Sequence, residues 1–394
     1  MLRKVVIWAI AVVIGSLSAL SAIGAISKNK APDLAMAVVP LNGFAAETVS
    51  SNRVKLDIAQ NNGNFANVVS DKALRQAKKA FEREPLTPEA VTVIALTTDS
   101  NRQRQLIEQA YNLSRREQLV TGWLIVNSAA ENNIPSILRY YDSALRTSSS
   151  SEPIVLPILA KALENDDFVD PMADFLGNKP PWVESFWLQA LATPEAIDNA
   201  AELRKATFNR GERNGTEARD SRIIQALIRQ QQYVSAEELY DLFTDSKNRK
   251  LIIRNGNFAS ENDYPPIDWQ LTMNGQFGAS IADGKLKMSA IGGSGGVFAR
   301  QIIKLPKKLL QLRVALDQAI PSNAHLSLDL ACAEKNIAKS NPIKVRLLEK
   351  SVISKISNEK SECQYYWLSV VGRSDEGLDG FDLSLDSISL RPIV

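Results

Sequence analysis

The chain has 394 residues, 45% of them apolar, which is enough for two ordinary domains with real cores and carries no overall signature of disorder. Lysine plus arginine number 46 and aspartate plus glutamate 44, so the net charge of +2 supplies no long-range field for gathering phosphates, and nucleic acid is set aside as a partner. Cys332 and Cys363 are the whole thiol inventory and no CxxC occurs, which removes support for thiol-redox or zinc-ribbon chemistry.

The N-terminus is the first predicted element. "MLRK" leads into an uncharged stretch, residues 5–26, before charge returns at Lys28 and Lys30. At about 1.5 Å rise per residue such a helix crosses the roughly 30 Å hydrocarbon core of a bilayer. Residues 1–27 are therefore expected to be a transmembrane anchor, with a cleaved signal peptide as the competing reading, because small residues surround Ala22 and Gly24. Arg3 and Lys4 nearly balance Lys28 and Lys30, so basic asymmetry does not set orientation; the short leader makes translocation of the C-terminal part the default. The expected location is a bacterial inner membrane, single-pass, with residues 28–394 in the periplasm. In that oxidising compartment Cys332 and Cys363 are expected to pair, against the alternative of two buried free thiols. The closed loop would contribute roughly 3 to 4 kcal/mol in the chain-entropy model.

Residues 28–70 read as a partly ordered lead-in linker, with "NNGN" at 61–64. From Asp71 the pattern becomes helical: "DKALRQAKKAFEREP" puts Leu74, Ala77, Ala80 and Phe81 on one stripe and stops at Pro85. "TPEAVTVIAL" restarts with Thr87 as N-cap, Pro88 at the first helical position and Glu89 in the first turn. "QAYNLSRR" (109–116), "NNIPSILRYYDSALR" (132–146) and "QQQYVSAEELYDLF" (230–243) set a small alanine beside large apolar residues. Ala110-Tyr111 and Ala144-Leu145 recur at equivalent places. This resembles the tetratricopeptide repeat, with "NKPPWVESFWLQAL" (178–191) breaking the period. The resemblance implies a stack of helix hairpins over residues 71–248 whose surface takes partner proteins or props up its neighbour.

After "DSKNRK" (245–250) short alternating runs take over: 267–272, 284–290, 297–305, 310–316, 325–332, 343–348, 365–371 and 381–390. Asp283-Gly284 signals a hairpin and "GGSGG" (292–296) a turn. The fold class is thus α+β and multidomain, with the helical domain followed by an antiparallel β-sandwich, a jelly roll, over residues 250–394. The "NGNF" opening at 255–258, Trp269 and the closing "LDSISL" (385–390) resemble the ends of jelly-roll carbohydrate-binding modules. "LSRREQLVTGWLIVNSAAENN", "YYDSALR" and "CQYYWLSVVGR" make the chain similar to bacterial single-span proteins associated with exopolysaccharide production. That resemblance implies partners among envelope or polysaccharide-assembly proteins and a possible glycan. The resemblance to carbohydrate-binding modules implies a calcium held by an acidic residue after the opening motif; Ala259 stands there, so no metal is expected.

One histidine, His325, permits no multi-histidine metal cluster, and no nucleophile elbow accompanies it. "IGGSGG" lacks the Gly-Lys-Ser/Thr ending of a phosphate loop. Carboxylate chemistry would draw on Asp379, Asp382 and Asp386 or on Asp263 and Asp268, which also read as turn formers. A glycan would stack on flat rings, and Tyr264, Trp269, Tyr365, Tyr366 and Trp367 are the candidates; alternation sends Tyr366 to the face opposite Tyr365 and Trp367. The expectation is a non-catalytic scaffold or binding protein without cofactor, membrane-bound through residues 5–26 and serving polysaccharide assembly or export. The alternatives are an envelope scaffold that contacts protein only and a carboxylate-based polysaccharide-active enzyme.

Overall fold

The computed structural model describes residues 2–211, 217–244, 251–260, 262–335, 342–377 and 379–393; the expected junction at 248–250 lies outside them. The chain forms two compact units, Met1–Ile158 with Lys179–Glu184, and Leu159–Asn178 with Ser185–Val394.

The first unit opens with α1 (Leu2–Ser27), of which Ile7–Ser27 is long and apolar enough to cross a membrane. Its apolar side chains stand in the open, Trp8 at 73% and Ile26 at 80%. Residues 28–70, expected as a linker, instead fold into α2 (Pro32–Val38) and α3 (Gly43–Gln60). The small residues that look weakly structured in sequence are what allow this. Ala45, Ala46, Ser50 and Ser51 bring α3 close to Ala73, Ala77 and Ala80 of α4 (Asp71–Arg83), and Ser50 Oγ donates to the Ala73 carbonyl at 2.8 Å. Phe81, expected on the buried stripe, lies 43% exposed because the alanine face turns inward.

Asn42 ties this region to α1. Its Oδ1 accepts from the Ala45 N–H at 3.0 Å and caps α3, while its Nδ2 donates to the Gly24 carbonyl at 3.1 Å. A Cβ on Gly24 would meet Val39 Cγ2 at 2.8 Å, so only glycine admits the turn at 39–42 beside the last turns of α1. Leu41 of that turn is 73% exposed.

Then follow α5 (Pro88–Ala95), α6 (Ser100–Leu113), α7 (Gln118–Ala130), α8 (Ile134–Thr147) and α9 (Glu152–Ala162). Thr87 precedes α5 but makes no side-chain cap; the orphan N–H groups of Glu89 and Ala90 go to Glu47 Oε1 at 2.8 and 3.3 Å. The helices α6 and α8 are each 14 residues long, with Ala110 and Ala144 at the same place and their carbonyls closing onto Ser114 and Ser148. The equivalence covers this pair; α4 and α5, of 13 and 8 residues, do not repeat it.

The second unit carries α10 (Val169–Leu176), α12 (Ile197–Asn209), α13 (Glu217–Arg229) and α14 (Tyr233–Phe243), with most of α11 (Val183–Leu191). Arg204 of α12 is fully buried and forks onto Asp220 of α13 at 2.7 and 2.9 Å.

The strands are β1 (Gln270–Leu271), β2 (Phe277–Ala282), β3 (Lys285–Ala290), β4 (Gly295–Lys304), β5 (Leu309–Leu316), β6 (Ala324–Cys332), β7 (Ile343–Leu347), β8 (Ser351–Ser357), β9 (Tyr365–Ser374) and β10 (Phe381–Pro392). They form two antiparallel five-stranded sheets, β1-β4-β9-β6-β7 and β2-β3-β10-β5-β8. Leu286, Phe298, Leu310, Leu328, Val370 and Leu385 meet in the shared core. Asp283-Gly284 makes the hairpin between β2 and β3, both residues with positive φ. Gly295 and Gly296 belong to β4 instead of a turn; a Cβ on Gly295 would lie 2.2 Å from the Gly372 carbonyl, so glycine permits the close pairing. Cys332 and Cys363 form a disulfide.

The "NGNF" opening clasps the sandwich. Asn255, in the left-handed region, holds Ser260 by both its side-chain atoms and receives Trp269 Nε1 on its carbonyl at 3.1 Å. Gly256 lies against β10, where its carbonyl accepts from the Ile388 N–H at 2.7 Å and a Cβ would strike the Ile388 carbonyl at 2.2 Å.

Candidate functional site

Four of the five candidate rings are structural. Trp269 is fully buried against Phe258, and Tyr366 sits in the core with its hydroxyl donating to Asn358 Oδ1 at 2.8 Å. Tyr365 does lie on the other face, as alternation requires, but α14 covers that end of the sheet. Tyr233 stacks on Tyr365 with ring centroids 4.7 Å apart and hydroxyl to the Ala333 carbonyl, and Tyr365 donates to Glu237 Oε2 at 2.9 Å. Tyr264 packs edge-on against Tyr240, whose hydroxyl donates to Asp268 Oδ1 at 2.9 Å. Burial and the neighbouring carboxylates push the Tyr240 and Tyr365 hydroxyls well above the ordinary range, and burial raises Asp268 despite the donors around it. The sequence shows that these rings alternate; it does not show that a helix lies over the outer ones.

Trp367 is the ring left partly open, on the face of β4-β9-β6-β7 away from the core. The Arg300 guanidinium lies over it at 4.5 Å and is held from behind by Gln270 at 2.7 Å. Ser369 follows on the same face, opposite Arg300 and Asp329. Asp329 accepts from Ser327 at 2.8 Å and is 3.9 Å from Lys344. The result is a polar, charged sheet surface with one cation-capped indole, suited to hydroxyl-rich or ionic ligands. Among the described residues no coherent platform of flat rings forms, because the aromatic residues that would build one bind α14 or fill the core.

Two of the expected carboxylates, Asp268 and Asp386, are likewise partners within the fold. Asp268 serves Tyr240 and the Tyr264 N–H, Asp386 lies 3.4 Å from Lys285, and His325 pairs at the surface with Asp375 at 2.9 Å. Glu334 lies near Cys332 and Cys363, but the disulfide leaves no thiolate there to ligate a metal.

A second polar centre, in the first unit, has no sequence motif. A cavity of about 580 Å³ is lined by Lys28, Glu47, Lys55, Glu89 and Glu117, among others. Glu89 is almost fully buried, accepts from the Leu119 N–H at 3.4 Å and pairs with Lys55 at 2.6 Å. Burial outweighs the two N–H donors and pushes Glu47 up to about 7; burial, then the charge of Glu89, raises Glu117. Their separations of 42 and 28 residues in sequence fit no short motif, and only helix packing brings them together.

No protein family matches the chain, and no curated protein matches it. Among solved structures, TmCBM61 in complex with β-1,4-galactotriose matches with 13% identity and a TM-score of 0.25, over 36% of this chain and 99% of that one. A CBM4 module matches with 10% identity and a TM-score of 0.23, over 29% and 89%. Accessory secretory protein 1, 2 and 3 of Streptococcus pneumoniae matches with 15% identity and a TM-score of 0.24, over 32% and 97%.

Proposed function

We propose that the protein is a non-catalytic, single-span scaffold or binding protein of the bacterial inner membrane. Its tetratricopeptide-like helices and jelly roll stand in the periplasm and serve exopolysaccharide assembly or export. The observation that supports this most is the stacked and hydrogen-bonded seam of Tyr233, Glu237 and Tyr240 on Tyr365 and Asp268, which makes the sandwich a fixed extension of the last helices. Beyond that seam the sheet presents a polar face around Trp367 and Arg300 that matches a hydroxyl-rich chain. The anchor reading is supported by α1 and by the exposed turn tied to Gly24.

Calorimetric titration of the full chain in lipid nanodiscs with fragments of the host's extracellular polysaccharide tests this, beside Trp367→Ala. Binding that weakens in a Trp367→Ala protein with an unchanged melting profile makes the sheet face a glycan contact. No heat, together with unchanged surface polysaccharide after gene deletion, would sink the polysaccharide role and leave a scaffold for proteins.

One observation favours the carboxylate enzyme as a second reading: Glu47 and Glu117 both hold protons above the usual carboxyl range in one cavity. Against it, Glu47 caps α5 and Glu89 is committed to Lys55 and α7. New reducing ends formed from polysaccharide by the wild type and not by Glu47→Gln would reverse that preference.

A further inference from the structure

In the first unit a groove of about 550 Å³ runs between α6 and α8, lined by Glu108, Tyr111, Arg115, Arg139, Tyr140 and Arg146 with neighbouring polar residues. Tyr111 and Tyr140 meet edge to face at 5.2 Å and form its floor. The two carboxylates of the groove are already matched. Glu108 takes Arg104 at 3.0 Å, and that arginine also reaches Glu131 at 2.6 Å. Asp142 takes Arg146 at 2.8 Å and receives Trp182 Nε1 at 2.9 Å.

Arg115 and Arg139 are the surplus. Among the described residues neither has a carboxylate partner, and each is placed by an aromatic ring. The Arg115 guanidinium lies over Tyr111 at 5.8 Å; that of Arg139 lies over Tyr140 at 4.8 Å, with Nη2 donating to the Tyr140 hydroxyl at 3.0 Å. A guanidinium held this way keeps most of its fork free and loses less side-chain entropy when an oxyanion arrives.

We propose that this groove binds a carboxylate-bearing oligosaccharide, a glycan of the uronic-acid type, with Arg115 and Arg139 receiving its carboxylates. The proposal rests on the polysaccharide reading above and gives it a charge. A protein ligand fits the groove less well, because no leucine, isoleucine, valine, methionine or phenylalanine lines it and an apolar anchor would find no pocket. A sugar finds hydroxyl and amide partners in Asn112, Ser143 and Thr147. The volume falls within the range of about 300 to 1,000 Å³ usual for small-ligand sites.

The test uses the full chain in nanodiscs and calorimetry with trigalacturonate, its neutral methyl ester, inorganic phosphate and a short Asp/Glu peptide. The wild type should bind trigalacturonate and not the ester. Arg115→Gln with Arg139→Gln should weaken that binding by about tenfold or more, as loss of charge-assisted bonds requires. Both residues are exposed, so the melting temperature should hold. Equal binding of the ester, or an undiminished double variant, overturns the proposal while leaving polysaccharide binding elsewhere intact. Competition by phosphate at equal concentration, or tighter arginine-dependent binding of the peptide, overturns the glycan assignment. If trigalacturonate does not bind, the proposal falls, and the host polysaccharide fragments, titrated separately, decide whether the wider reading falls with it.

Discussion

Glu47 does three things with one carboxyl group: it closes the N-terminus of α5, faces Glu89 and Glu117, and lies half-buried in a cavity. Its pKa of about 7 lies above the ordinary 4.5 because loss of hydration outweighs the two N–H bonds it accepts. The folded state therefore prefers the neutral acid. That contribution is full below pH 4.5 and is lost as pH rises to about 7, since the unfolded chain ionises first. Glu47→Gln keeps the acceptor oxygen and removes the charge. Thermal melts from pH 4 to 8 should show a flatter profile for the variant across this window; a profile parallel to the wild type would refute the assignment. In sequence Thr87 is the better cap, because local spacing shows nothing of a side chain 40 residues away. Trp269 and Tyr366, candidate rings in sequence, are buried in the structure for the same reason: an aromatic side chain is recognisable in sequence, but what covers it is not.

At the scale of elements, α14 on the outer face of the sandwich is the contact with most consequence. Tyr365→Ala removes a stacked ring and the bond to Glu237 and leaves Tyr233 over a void. Truncating a buried aromatic side chain costs about 3 to 5 kcal/mol. The variant should therefore lose several degrees or more in melting temperature, and Trp367→Ala, on the open part of the same strand, should lose much less. Equal losses would mean that α14 does not depend on the seam. Most strands are legible from alternation, which predicts eight of the ten strands among the described residues near their observed places. The exceptions are informative. In β2 the run "FGASIA" carries glycine and two alanines, and in the edge strand β8 "SVISKIS" puts apolar residues on both faces, Ile353 exposed and Ile356 buried. Weak side-chain contrast removes the signal on which strand recognition depends. The same weakness hid α3, whose alanines and serines pack because they are small.

For the whole molecule, the turn beside the last turns of α1 gives the anchor reading a measurable geometry. If α1 spans the bilayer, Asn42 on the Gly24 carbonyl holds Leu41 at the headgroup and acyl boundary, where an apolar side chain is favoured. A nitroxide on Leu41→Cys in nanodiscs should be shielded from a water-soluble relaxation agent and open to oxygen. Full access to the water-soluble agent would place the turn in solvent, and N-terminal sequencing of the cellular protein would show separately whether α1 had been removed. What the sequence determined by itself are the quantities that depend on near neighbours: an apolar run long enough for a membrane, helical spacing from Asp71, alternation after Asn255, and two cysteines free to pair. The tertiary structure alone decided what lies against what. It set α14 over Tyr365, gathered Glu47, Glu89 and Glu117 into one cavity, and left Arg115 and Arg139 without a carboxylate partner among the described residues. Burial and charge pairing arise from contacts between distant segments, and no local pattern in the chain encodes them.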